Sequence, residues 1–264
     1  MSPEGGAAVK LEREQSGLAV LTLDSPPLNL FDQRMIDSFR AAVEELAVEP
    51  PRALLIRAEG RVFSGGVDVH VFEGLTPEQG SRLWDELLGM IDKLERLPAP
   101  IVFAAHAITL TAAFEIALAC DLIVASPKAK FGLVEKVVGI TPSMGGTQRL
   151  AERAGSGRAR QFVMTGELFG AEEMERWGVV NTIFADDEFD ARARALAAEL
   201  AAGPTRAHAM TKHVLLRFRQ GGIPAADEAI RTESAELFAT QDLQDAVRAF
   251  LEHGGPGHAT FEGR

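Results

Sequence analysis

Glu115 is the only carboxylate in "ITLTAAFEIALA" (108–119), a run otherwise small or apolar that ends at Cys120-Asp121. An unpaired carboxylate in such surroundings is costly to bury unless it takes up a proton. Two readings follow: a first-turn acid that complements the positive end of a helix, or an acid placed for proton transfer. A second acid, Glu135, stands among apolar residues in "KFGLVEKVVGITPSMGGTQRL" (130–150), although beside Lys136 it also reads as a solvated loop residue. Two carboxyls of unlike protonation can divide the roles of base and acid. Upstream, "RVFSGGVDVH" (61–70) pairs Gly65 with Gly66 ahead of Val67-Asp68. Such glycines let the backbone turn sharply and leave an amide N–H free for a ligand. The same stretch also reads as an ordinary turn, with Asp68 capping the next helix. Thr109 or Thr111 can start the helix that carries Glu115. Its first N–H groups have no intrahelical acceptor and can hold an oxyanion.

The elements that must position these groups alternate between strand and helix. "VKLEREQSGLAVLTLD" (9–24) predicts two strands joined at Ser16-Gly17. Asp32 caps an expected helix with Met35, Ile36, Phe39, Val43 and Leu46 on one face, stopped by Pro50-Pro51. "ALLIRA" (53–58) reads as a strand covered on both faces. Leu83, Leu87, Leu88, Ile91 and Leu94 mark a second helix, ended by Pro98 and Pro100. "IVFAA" (101–105), "DLIVAS" (121–126) and "GVVNTIF" (178–184) predict further strands, so the expected class is α/β with crossover connections. From about Asp187 three helical stretches follow, broken by Gly-Pro and Gly-Gly-Ile-Pro. Leu243, Val247, Phe250 and Leu251 form a stripe in the last of them, and Gly254 is its expected C-cap.

Composition narrows the function. The chain has 264 residues, 46% hydrophobic and 25% charged, with a formal net charge of −11. That charge argues against non-specific nucleic-acid or anionic-membrane binding, and no apolar run approaches the roughly 18 residues of a membrane span. The N-terminal "MSPEGGAAVKLERE" lacks the features of a signal peptide, and one cysteine excludes an internal disulfide framework, so a cytoplasmic setting is expected. Cys120 reads as a small core residue. His106 reads as a strand-end residue with a backbone partner, and His70 as a surface residue. There is no zinc-type cluster, phosphate loop or dinucleotide fingerprint.

Taken in order, the glycine turn, the helix with Glu115, "FG", Glu135, Pro142 and "GGTQRL" resemble the crotonase family of enoyl-CoA hydratases and isomerases. "TGELFGAEEMERWGVVNTIF" (165–184) and the terminal "FEGR" extend the resemblance along nearly the whole chain. It implies a crotonase-like core of repeated β-β-α units over 1–186 and a helical trimerisation region over 187–264, assembled as a homotrimer or a dimer of trimers. It further implies an acyl-CoA thioester substrate, within fatty acid metabolism, and no cofactor or metal. By position, the oxyanion donors would be the backbone N–H groups of Val67 and Ala112, and the catalytic acids Glu115 and Glu135. Gly66, Asp68 and Thr111 would line the substrate, with Phe261 on the adenine and Arg264 on a phosphate of coenzyme A. The expected reaction is addition of water across the C2=C3 bond of a trans-2-enoyl-CoA. Another crotonase reaction (isomerisation, decarboxylation or thioester hydrolysis) and non-catalytic acyl-CoA binding are the alternatives. The departure from the family is local. His106-Ala107 stands where most members have Asn-Gly, and Thr111-Ala112-Ala113 replaces a glycine triplet.

Overall fold

Ser16 and Gly17 reverse the chain between β1 (Val9–Arg13) and β2 (Leu18–Leu23), Gly17 taking a φ of 84°. The structure is a computed structural model, and it describes residues 7–264. Residues 1–6, part of the expected first unit and of the N-terminal segment read for a signal peptide, lie outside the described residues. Asp32 accepts from the Met35 N–H at 2.8 Å and opens α1 (Gln33–Val48), whose expected apolar face is buried throughout. Then come β3 (Ala53–Ala58), α2 (Pro77–Glu95) and β4 (Ile101–Ala105). α2 buries Leu87, Ile91 and Leu94, while Leu88 turns outward at 38% exposure. The chain continues through β5 (Ile108–Leu110), α3 (Ala112–Ala119), β6 (Leu122–Ala125) and β7 (Lys130–Gly132). α4 (Gly146–Ala154), α5 (Ser156–Thr165), β8 (Phe169–Gly170), α6 (Ala171–Arg176) and β9 (Thr182–Ile183) complete the α/β part.

Six strands form one sheet in the order β1-β2-β3-β4-β6-β9, parallel except for the β1–β2 hairpin. Burial on both faces explains the continuous apolar runs of β2, β3 and β4. Leu21, Leu23, Leu54, Ile56, Ile101 and Phe103 face the main core with α1, α2 and α3. Leu18, Val20, Leu55, Val102 and Ala104 face a second core supplied by α7 (Phe189–Ala202), through Phe189, Ala193, Ala197 and Ala201. A smaller sheet, β5-β7-β8, sits beside α3.

The expected strand over 178–184 shrinks to Thr182–Ile183. Gly178 takes a φ of 77°, and the Val179 and Val180 amides both donate to the Met174 carbonyl, closing α6 instead of extending the sheet. Beyond α7, α8 (Thr205–Thr232) leaves helical geometry at Gly221 and Gly222, where the Gly-Gly-Ile-Pro break was expected. Thr240 accepts from the Leu243 N–H and starts α9 (Gln241–His253), which Gly254 ends in a left-handed turn. The third expected helical stretch is therefore divided at Thr240. No helix among the described residues is long and apolar enough to cross a membrane.

Candidate active site

Glu115 is buried to 2% exposure in the first turn of α3. Its Oε1 accepts from the Met144 and Gly146 amides, each at 2.8 Å. Close packing needs glycine there, because a Cβ on Gly146 would stand 2.7 Å from Glu115 Cγ. The turn that supplies both amides is anchored by Arg149, itself buried and paired with Glu95 at 2.8 Å. Burial first, and the charge of Glu135 second, push the Glu115 carboxyl up to about 8. Glu135 opens a 3₁₀ turn over Glu135–Val138 and is buried, not a solvated loop acid. Its Oε2 has no hydrogen-bond partner among the described residues, and burial lifts this carboxyl to about 7.

Both acids line one cavity of about 240 Å³. Val71, Phe72, Leu83, Trp84 and Leu87 give it apolar walls, and Val67, Thr111 and Ala112 also border it. A partly open apolar cavity with few polar groups fits a small organic acyl group. Burial favours the protonated form of both acids, and the charge of Glu135 favours it further at Glu115.

The glycine turn reaches the cavity through a buried polar scaffold. Asn29 Nδ2 donates to the carbonyls of Glu59 and Phe63, and Ser64 Oγ donates to the Asn29 carbonyl at 2.7 Å. Gly66, at φ 100°, carries the chain to Val67, whose strand-like bridge with Phe31 fixes its position. The Val67 N–H has a partner within the chain: it donates to Thr111 Oγ1 at 2.9 Å. Thr111 precedes α3 with φ 44° and ψ −118°, a conformation rare for a β-branched residue. Holding it there costs about 1–3 kcal/mol. The Ala112 N–H, the first amide of α3, has no acceptor among the described residues.

Not every expected residue joins this cavity. Asp68 caps the 3₁₀ turn at Val69–Phe72, accepting from the His70 N–H at 3.0 Å and meeting its Nδ1 at 2.6 Å. Gly66 lies behind Thr111, leaving Gly65 and Val67 at the wall. Phe261 and Arg264 lie away from it within the subunit. Arg52 Nη2 donates to the Phe261 carbonyl at 2.7 Å, and Arg264 pairs with Glu262. The Asp242 carboxylate accepts from the Glu262 and Gly263 amides, so the tail is docked beside a larger hollow of about 1000 Å³ under α8. That hollow holds neither Glu115 nor Glu135. His70 is exposed, His106 Nε2 lies 3.1 Å from the Gly60 carbonyl oxygen, and Cys120 is core, as expected. Among the described residues no three His, Cys, Asp or Glu side chains group as a metal site.

A family profile described as enoyl-CoA hydratase/isomerase matches residues 13–262. The chain belongs to the enoyl-CoA hydratase/isomerase family, the crotonases. It is 31% identical to a short-chain-enoyl-CoA hydratase of Clostridium acetobutylicum over 92% of this chain and 94% of that one. A crotonyl-CoA hydratase of Syntrophomonas wolfei is 29% identical over 92% and 94%. The crystal structure of an enoyl-CoA hydratase from Mycobacterium smegmatis superposes with a TM-score of 0.88 at 27% identity, covering 95% of this chain and 98% of that one. Family membership makes this an enzyme of the enoyl-CoA hydratase/isomerase type with a crotonase fold. Several contributors carry no sequence signal of their own. The Met144 and Gly146 amides are backbone groups, and Trp84 reads only as part of an amphipathic helix.

Proposed function

We propose that this crotonase adds water across the C2=C3 bond of a trans-2-enoyl-CoA, using Glu115 and Glu135 as one acid–base pair. The observation that carries the reading is the meeting of two buried carboxyls, both with raised proton affinity, in a single apolar cavity. The ionised member takes a proton from water as its oxygen bonds to C3. The π pair moves toward the thioester, which becomes an enolate, and the protonated member then delivers a proton to C2. The enolate oxygen sits at the N-terminus of α3 on the Ala112 N–H, beside Val67 and Thr111. An oriented donor there does not have to reorganise as charge develops, and each is worth roughly 3–4 kcal/mol to the transition state. The apolar walls strengthen these interactions by excluding bulk water.

Steady-state assays with a short and a long trans-2-enoyl-CoA, alongside direct binding of the same esters, test this reading. Formation of 3-hydroxyacyl-CoA supports it. Thr111 in front of the Val67 amide favours one other reading, acyl-CoA binding without turnover. Tight ester binding with no product from either chain length would select that one.

A further inference from the structure

Thr111 occupies the place where an acceptor for the Val67 N–H would be sought in a ligand. Its hydroxyl uses a lone pair to accept that bond, and its own proton has no acceptor among the described residues. The residue is 7% exposed and borders the same cavity as Ala112, Glu115 and Glu135. The neighbouring backbone is built around it. Gly66 lacks the Cβ that would overlap Oγ1, and the Thr111 N–H is held by the Gly132 carbonyl at 2.8 Å.

We propose that the Thr111 hydroxyl, and not the Val67 amide directly, is the second donor to the thioester oxygen, with the Val67 N–H behind it. The assignment rests on the acyl-CoA reading of the cavity. A hydroxyl that accepts from an amide becomes a better donor, because successive hydrogen bonds polarise one another. Thr111 O–H and Ala112 N–H then converge on the oxygen from adjacent residues. Thr111 keeps its proton throughout: it donates a hydrogen bond to the oxygen that gains charge, and the proton that reaches C2 comes from the Glu115–Glu135 pair. The replacement of glycine by threonine at this position thus converts a two-amide site into an amide–hydroxyl site.

The test uses Thr111→Val, Thr111→Ser and Thr111→Gly in the full chain, read by kcat and by the infrared carbonyl band of a bound, ¹³C=O-labelled trans-2-enoyl-CoA. Thr111→Val keeps the branched shape and loses the O–H. The expected result is a fall in kcat of about 10²–10³-fold, with the carbonyl band shifted back toward its position in water. Thr111→Ser should retain both properties. Thr111→Gly should retain the band shift, because it opens the Val67 amide to the ester. Far-UV circular dichroism and ester Kd confirm that each variant is folded. A Thr111→Val protein with wild-type band position and kcat overturns the assignment. Wild-type protein that polarises the carbonyl, loses that shift in Thr111→Val and yet makes no 3-hydroxyacyl-CoA keeps the donor and rejects hydration. Failure of the wild type to bind any enoyl-CoA overturns both.

Discussion

Glu115→Gln keeps an oxygen for the Met144 and Gly146 amides while removing the group that titrates. In the folded chain, burial and then the Glu135 charge raise the Glu115 carboxyl from 4.5 to about 8. A carboxyl raised by folding contributes stability that is complete below its unfolded pKa. That stability is lost as pH rises toward the folded value, because the unfolded chain releases the proton first. At about 1.4 kcal/mol for each tenfold in protonation, the gap amounts to about 5 kcal/mol at most. A proton on Glu135 lowers it by relieving the repulsion. Gln carries no such dependence. Urea unfolding of both proteins from about pH 5 to about pH 8.5, at one protein concentration, reads the difference directly. The variant should be close to wild type at the acid end and gain stability relative to it steadily across the range. A difference that is flat with pH, or one that grows in favour of wild type, would refute the buried, protonated Glu115.

Two further outcomes follow from the tail and the last helices. Removing residues 258–264 leaves the Asp242 carboxylate, 6% exposed, without its Glu262 and Gly263 amides, and should cost about 1–3 kcal/mol. If Phe261 and Arg264 of the assembled protein meet coenzyme A, the same truncation weakens ester binding; an unchanged Kd removes them from the ligand. Val247, Phe250 and Leu251 leave α9 with exposed apolar side chains. We expect them to be covered in a trimer or a dimer of trimers, since a patch of this kind marks an association surface. Sedimentation of the wild type as a monomer at micromolar concentration would contradict this.

Much of the fold was legible because its signals are periodic. The α1 stripe, the Ser16-Gly17 turn and the doubly covered run 53–58 each follow from local pattern, and each is present. The small sheet was not legible: its strands are two or three residues long, too short to show alternation. At the site, Glu115 and Glu135 stood out as acids among apolar neighbours. The bond from Val67 to Thr111 could not, because it joins residues 44 apart through a backbone amide. Its trace in the sequence was the threonine standing where a glycine was expected.

The central claim is that Glu115 and Glu135 act together on one water. Its most direct test is kcat for trans-2-enoyl-CoA hydration by Glu115→Gln, Glu135→Gln and the double variant, with ester Kd measured alongside. Each single change should leave binding intact and lower kcat by about 10²–10⁴-fold. The double variant should lose little more, because groups that work as a unit fail together. A folded Glu135→Gln protein that binds the ester and hydrates it at the wild-type rate would contradict the mechanism.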